Sequence, residues 1–256
     1  MKSIHITAIL MALLSSSLLA KEGYFDPFKA KPKSILKKKT QPQKHRKKRL
    51  VKHKKTKAKQ KTYRNLLKNK LPSNLNKIYK RVLRSTNINR KALKRAFAFY
   101  KRNRIKKGLS SKYLAIADYT KTARAKRLYI INLNNGKVYR HKIAHGKYSG
   151  VIGGKVRRSS NKRNTHMTPY GFFKIGSKVR KTRKKRYKYL SVKGLEWSNR
   201  KVGLPSRMGG RDVILHPAKY VNYGGRSHGC FSICPQDTRA IFAKLKTALF
   251  YSYTGR

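Results

Sequence analysis

Acidic residues are almost missing from this chain. Its 256 residues include 6 Asp+Glu against 69 Lys+Arg, a formal net charge of +63. No carboxylate lies between Asp26 and Asp118, so the charge there is not interleaved with partners. Such an excess opposes compaction by self-repulsion and attracts polyanions: nucleic acid, anionic lipid headgroups or anionic cell-envelope polymers. Cysteine is scarce as well, with Cys230 and Cys234 the whole complement. A disulfide-stapled scaffold would use more, and a bridge between these two would close too short a loop to constrain much of the unfolded chain. After the N-terminus no apolar run is long enough to span a membrane, which takes about 20 residues. A phosphate-binding loop is missing too, because "GGRSHG" lacks the strand-turn-helix spacing, and there is no GxSxG elbow.

What is present begins with "MKSIHITAILMALLSSSLLA". Lys2, an apolar stretch from Ile4 to Leu14, small residues and a closing Ala20 make the pattern of a secretory signal peptide. The expectation is cleavage near Ala20, a periplasmic or cell-envelope location, and no membrane span after cleavage. Export separates the chain from nucleic acid, so anionic envelope polymers become the expected partner of the charge.

The remainder divides by composition. Residues 21–70 are Lys-rich with Pro and Gln and little apolar content. Such a segment cannot offset its ordering entropy, and it is expected to be a disordered linker that tethers the protein to an anionic surface. Residues 71–108 read as a helical segment. Ser73 is placed to cap a helix whose Leu75, Ile78, Tyr79, Val82 and Leu83 share a face. Asn89 is placed to cap a second, with Leu93, Ala96, Phe97 and Tyr100 as its apolar stripe, expected to pack on the C-terminal domain.

From 109 to 256 the period shortens. "SKYLAIADY", "KRLYIINL", "KVYRHKIA", "GFFKIG" and "RDVILH" read as strands, with a hairpin turn at Asn134-Asn135-Gly136. Pro235 opens a helical stretch in which Ile241, Phe242 and Leu245 share a face, and "TALFYSY" closes as a strand. Short strands without alternating long helices predict a mainly β sandwich or barrel.

The chemistry concentrates in "HPAKYVNYGGRSHGCFSICP". His216, His228, Cys230 and Cys234 form a zinc quartet on paper, but Cys-x3-Cys without a second paired unit is a weak signal. The remaining readings are thiol catalysis and a structural turn. A thiol needs a base or a positive environment to ionise. His216 ends an apolar strand, and Cys230 follows Gly229, where the backbone turns tightly. A thiolate, a histidine and nearby backbone N–H groups are the parts of an acyl-transfer site. From these residues alone both readings stay open.

"SHGC" (Ser227 to Cys230), with a histidine at the end of the preceding strand, resembles the YkuD-type L,D-transpeptidases. "TPYGFF" (Thr168 to Phe173) resembles the family's TP-x-G-x-F strand, and further motifs occur in the order seen in the murein L,D-transpeptidase catalytic-domain subgroup: "IAHGKYSG", "SSN" at Ser159 to Asn161, "GLEWSN", "HPAKYV" and "GRSHGC". The resemblance covers roughly residues 90–256. It implies an L,D-transpeptidase-like β-sandwich or barrel domain with short helices, acting on peptidoglycan stem peptides without a cofactor or metal.

The resemblance also implies roles by position. Cys230 resembles the nucleophile, His216 the base that activates it, and Ser227 the residue whose carbonyl orients that histidine. His228 and Gly229 resemble the wall and oxyanion side of the pocket. Arg226, His145 and Tyr220 are candidates for substrate contact. An L,D-carboxypeptidase using the same site, or a non-catalytic polycation binding the envelope, are the alternatives. The chain departs from the pattern in a short gap between His216 and His228, in Phe231 after the nucleophile, in an unassigned Cys234, and in the very basic stretch 178–189, read as a loop.

Overall fold

The structure is a computed structural model, and it describes residues 73–182 and 187–255. The expected signal segment, the linker 21–70 and residues 183–186 of the basic stretch lie outside the described residues.

Two helices lead in. Helix α1 (Ser73–Ser85) buries Ile78 and Val82. Helix α2 (Arg90–Lys107) buries Leu93, Ala96, Phe97 and Tyr100, the stripe read from the sequence. Asn89 caps α2 by accepting from the N–H groups of Lys91 and Ala92 at 2.9 and 3.4 Å. The Asn89 N–H itself donates to Asp118 at 3.0 Å, which ties the start of α2 to the end of the first strand. At the other end Gly108 adopts φ +57°, the left-handed turn that closes helices, while Arg104, Lys106 and Lys107 face the negative end of the dipole.

The strands are β1 (Tyr113–Asp118), β2 (Leu128–Asn132), β3 (Val138–His141), β4 (His145–Gly146), β5 (Gly171–Lys181), β6 (Lys188–Gly194), β7 (Ile214–Pro217), β8 (Arg226–Ser227), β9 (Phe231–Ile233) and β10 (Leu249–Tyr253). Helix α3 (Thr238–Leu245) comes after a 3-10 turn opened by Pro235, and buries Ile241, Phe242 and Leu245. Eight strands form one sheet in the order β3-β2-β1-β10-β5-β6-β7-β9. A bridge from Ile143 to Ile233 joins the two edges, so the sheet is nearly closed. The expected mainly β architecture with short helices is the one observed.

Both faces of the central strands are covered. In β1, Ala115 and Ala117 point into the interior core with Phe173, Phe231 and Phe250, while Leu114 and Ile116 point out against α1 and α2. The strand period of two explains how one short strand serves both cores. The β2–β3 turn places Gly136 at φ +73°, in line with the hairpin signal.

The basic stretch is corrected by the structure. Residues 178–181 continue β5, and β6 starts at Lys188. Leu190 and Val192 of β6 are buried while Lys188 and Lys193 are exposed, so a half-buried hairpin arm hides behind lysines that read as a loop. The hairpin returns the chain toward β7, and Tyr187 arrives beside His216.

Candidate functional site

Strands β7 and β9 run parallel, with His216 opposite Ser232. Cys230 directly precedes β9, two residues before Ser232. The His216 Nδ1 lies 2.9 Å from the carbonyl of Pro217. A carbonyl only accepts, so that nitrogen carries the proton and Nε2 keeps its lone pair. Nε2 lies 3.0 Å from Ser232 Oγ, and Ser232 Oγ lies 2.7 Å from the Tyr220 hydroxyl. The chain of donors therefore runs from Tyr220 to Ser232 to His216 and on to Pro217. The Tyr187 ring stacks on His216 with centroids 5.0 Å apart.

The carbonyl that faces His216 is thus that of Pro217 and not that of Ser227. Ser227 lies in β8, paired in parallel with β4, and its carbonyl accepts from the Lys147 N–H at 2.7 Å. Its hydroxyl shapes the turn instead. Oγ accepts from the Gly229 N–H at 3.0 Å and donates to the Cys230 carbonyl at 2.7 Å. That bond engages the Gly229 N–H, so the oxyanion role suggested for Gly229 is not open to it in this arrangement.

What Gly229 provides is conformation and closeness. It sits at φ +107°, and a Cβ there would stand 3.0 Å from the Met167 carbonyl and run into the Arg211 guanidinium. Arg211 itself is buried and donates to the carbonyls of Ser160 and Met167. Burial lowers its pKa to about 10.

The Cys230 thiol is free and half-buried. Sγ lies 3.9 Å from the Asp212 carbonyl. Burial pushes its pKa up, and the Asp212 carboxylate adds to that, while the Ile214 N–H and the Arg211 charge pull the other way. A thiol held neutral in this way needs a partner to take its proton. Burial raises the pKa of Tyr187 and Tyr220, and a charged Cys230 thiolate adds to the rise in both.

Of the other candidates, Tyr220 alone joins this group. His145 is buried, with Arg127 Nη2 3.0 Å from its Nδ1. Burial and the Arg127 charge lower its pKa to about 4. It is a neutral core histidine behind the turn and does not line the cleft. Arg127 is also fully buried and donates to the carbonyls of Ile143, Lys121 and Gly154. Arg226 donates to the Lys147 carbonyl at 3.1 Å and so holds the 147–150 loop. His228 is exposed and meets His166 edge to face, 5.2 Å between centroids. Tyr220 belongs to the proton chain through Ser232. Cys234 is a free thiol buried with Ala144 and Val221, a small apolar side chain in effect. Among the described residues no three His, Cys, Asp or Glu side chains gather as a metal site.

Sequence reading missed Ser232, Tyr187 and Arg211. Ser232 has a usable signal, its position two residues beyond Cys230 in a strand. Tyr187 sits inside the basic stretch, and Arg211 is one of 69 cations, with nothing local to mark it as buried. The upstream motifs turn out to be clamps. Asn161 exchanges both its amide groups with the Tyr170 backbone. Thr168 Oγ1 accepts from the Gly146 N–H, and Glu196 accepts from the Phe172 N–H.

A family model described as "L,D-transpeptidase catalytic domain" matches residues 84–253. No curated protein matches the chain. Among solved structures, Bd1075 of Bdellovibrio bacteriovorus is similar at 15% identity over 56% of this chain and 48% of that one, with a TM-score of 0.37. An L,D-transpeptidase from Mycobacterium smegmatis is similar at 18% identity over 56% and 58%, with a TM-score of 0.32. The helical cell shape determining protein Pgp2 of Campylobacter jejuni is similar at 16% identity over 57% and 49%, with a TM-score of 0.37. The chain spans about half the length of these proteins.

Proposed function

The chain belongs to the family of L,D-transpeptidase catalytic domains, and on that premise we propose that it is an exported cysteine acyltransferase acting on peptidoglycan stem peptides. What supports the reading is the family match together with a free Cys230 just ahead of β9, the strand whose Ser232 stands opposite His216. The Pro217 carbonyl accepts a hydrogen bond from the Nδ1–H of His216, so the Nε2 lone pair is the one that accepts at rest from Ser232.

In the proposed reaction His216 Nε2 takes the thiol proton. The thiolate attacks the carbonyl of the amide between the third and fourth stem residues, forming a C–S bond. The C–N bond breaks, and the amine of the departing D-amino acid leaves with the proton from His216. An acceptor amine then attacks the thioester and gives its proton to His216, the C–S bond breaks, and the proton returns from His216 to the sulfur to restore the thiol. The acceptor is the third residue of another stem, a free D-amino acid or a protein lysine. Water in its place makes the enzyme an L,D-carboxypeptidase. Because burial disfavours the resting thiolate, thiolate formation is coupled to His216, with Arg211 and the Ile214 N–H supporting the charge. The Lys-rich segment 21–70 is proposed to hold the enzyme on anionic envelope polymers, raising its local concentration.

The test is muropeptide analysis of sacculi incubated with the wild type and with Cys230→Ala. New cross-links, or loss of the fourth residue, with the wild type alone are expected, and the product separates transfer from hydrolysis. Identical profiles with both proteins, given wall-bound wild type, overturn the proposal. Deleting residues 21–70 is expected to leave the chemistry and weaken retention on sacculi. Unchanged retention at moderate salt refutes the tether.

A further inference from the structure

The chain has a single tryptophan, and it is neither in a core nor at the Cys230 site. Trp197 is 81% exposed, an uncommon condition for so large an apolar side chain. It stands on a 3-10 turn, Trp197–Asn199, whose Asn199 is buried and donates to the carbonyls of Tyr170 and Phe172. The turn is therefore anchored from below while the indole faces solvent. The Arg200 guanidinium lies over the ring, 3.0 Å from its centroid.

This pair forms one wall of a cleft of about 710 Å³, with the 159–163 segment as the other. Lys162, Arg163, Arg200, Lys201 and Arg211 bring five cations to it, and among the described residues no carboxylate lines it. Arg211 connects the cleft to the thiol. It is among the residues that line the cleft, and its guanidinium lies where a Cβ on Gly229, the residue before Cys230, would stand. The partners of the Arg211 guanidinium are carbonyl oxygens, so its positive charge is not cancelled by an anion. The volume suits a few residues of a ligand and not a long polymer.

We propose that the Trp197–Arg211 cleft is a binding subsite for the acidic stem peptide, with its carboxylates held by Arg200, Lys201 and Arg211 and its apolar groups lying against the indole. Arginine forks pair with planar carboxylates at two points, and an aromatic wall adds contact area with little ordering entropy. The subsite deepens the acyltransferase reading and rests on it for the identity of the ligand.

Because Trp197 is the only tryptophan, its fluorescence reports directly on this cleft. The full chain carrying Cys230→Ala, which binds without turning over, is titrated with a disaccharide tetrapeptide bearing free carboxylates. The same titration is run with the peptide whose carboxylates are amidated, and with inorganic polyphosphate. The free peptide is expected to change the emission saturably. Amidation, or the double substitution Arg200→Gln with Lys201→Gln, is expected to weaken binding about tenfold, and added salt to weaken it further. Both substituted side chains are exposed, so the fold is not at stake.

Equal binding of the free and amidated peptides, or no emission change with either, overturns the subsite. So does polyphosphate displacing the peptide at equal charge. Sacculus digestion by the wild type tests the reaction separately. An inert wild type whose Cys230→Ala form still binds the free peptide selectively overturns the acyltransferase reading and supports the cleft. An active wild type whose KM is unchanged by the double substitution overturns the cleft alone.

Discussion

Acid should destabilise the fold through the buried His145. The imidazole has no exposed surface, and Arg127 donates to its Nδ1. Burial, and then the Arg127 charge, lower its pKa from the ordinary 6.5 to about 4. In the unfolded chain the same histidine protonates near pH 6.5. Between pH 6.5 and about 4 the unfolded state therefore binds one proton that the folded state refuses. Stability from this group is complete above pH 6.5 and is lost as pH falls toward 4. At about 1.36 kcal/mol per pH unit the loss comes to roughly 3 kcal/mol. With a urea m-value of about 2–3 kcal/mol per molar, the midpoint falls by about 1 M. The chain has only 6 Asp+Glu, so carboxylate protonation adds little acid sensitivity of its own. His145→Gln keeps an oxygen for Arg127 and removes the titration. Urea unfolding monitored by circular dichroism at pH 7 and pH 4 should show the wild type losing about 3 kcal/mol more than the variant. Parallel losses in the two proteins refute the account, since the remaining histidines are common to both.

The thiol site yields further expected outcomes. Gly229→Ala places a Cβ against Arg211 and the Met167 carbonyl at φ +107°. It should destabilise the domain by about 1–3 kcal/mol and abolish thioester formation, read by mass spectrometry of the acyl-enzyme. Ser232→Ala removes the group that holds His216 Nε2 and the Tyr220 hydroxyl. It should lower kcat by about 10–100-fold and shift the pH–rate profile with KM little changed, whereas an unaltered profile means the chain of donors plays no part. Iodoacetamide alkylation of Cys230 should rise with pH to a midpoint above the ordinary thiol range, because burial raises its pKa. Arg211→Gln should move that midpoint higher still, and a downward move contradicts the proposed electrostatics. Arg127→Met strands the carbonyls of Ile143, Lys121 and Gly154 and should cost about 3 kcal/mol or more in a thermal melt.

Features that depend on near neighbours were legible in the amino-acid order. The α2 stripe of Leu93, Ala96, Phe97 and Tyr100, the Asn89 cap, the turn at Gly136 and the buried face of α3 are set by periodicity and capping within a few residues, and each stands where the spacing placed it. The family was legible too, because its motifs are short and ordered along the chain. Pairings between distant residues came only with the folded sheet. Parallel pairing of β7 with β9 brings Ser232 to His216, and the β5–β6 hairpin brings Tyr187 onto the same ring behind lysines that disguised it as a loop. The carbonyl of Pro217, one residue from His216, takes the place given to Ser227, because ring orientation is set by packing and not by sequence spacing. Among 69 cations no local pattern separates Arg127 and Arg211 from the rest. Their burial is a property of the closed sheet and of the loops folded over it, and so is every consequence of their charge.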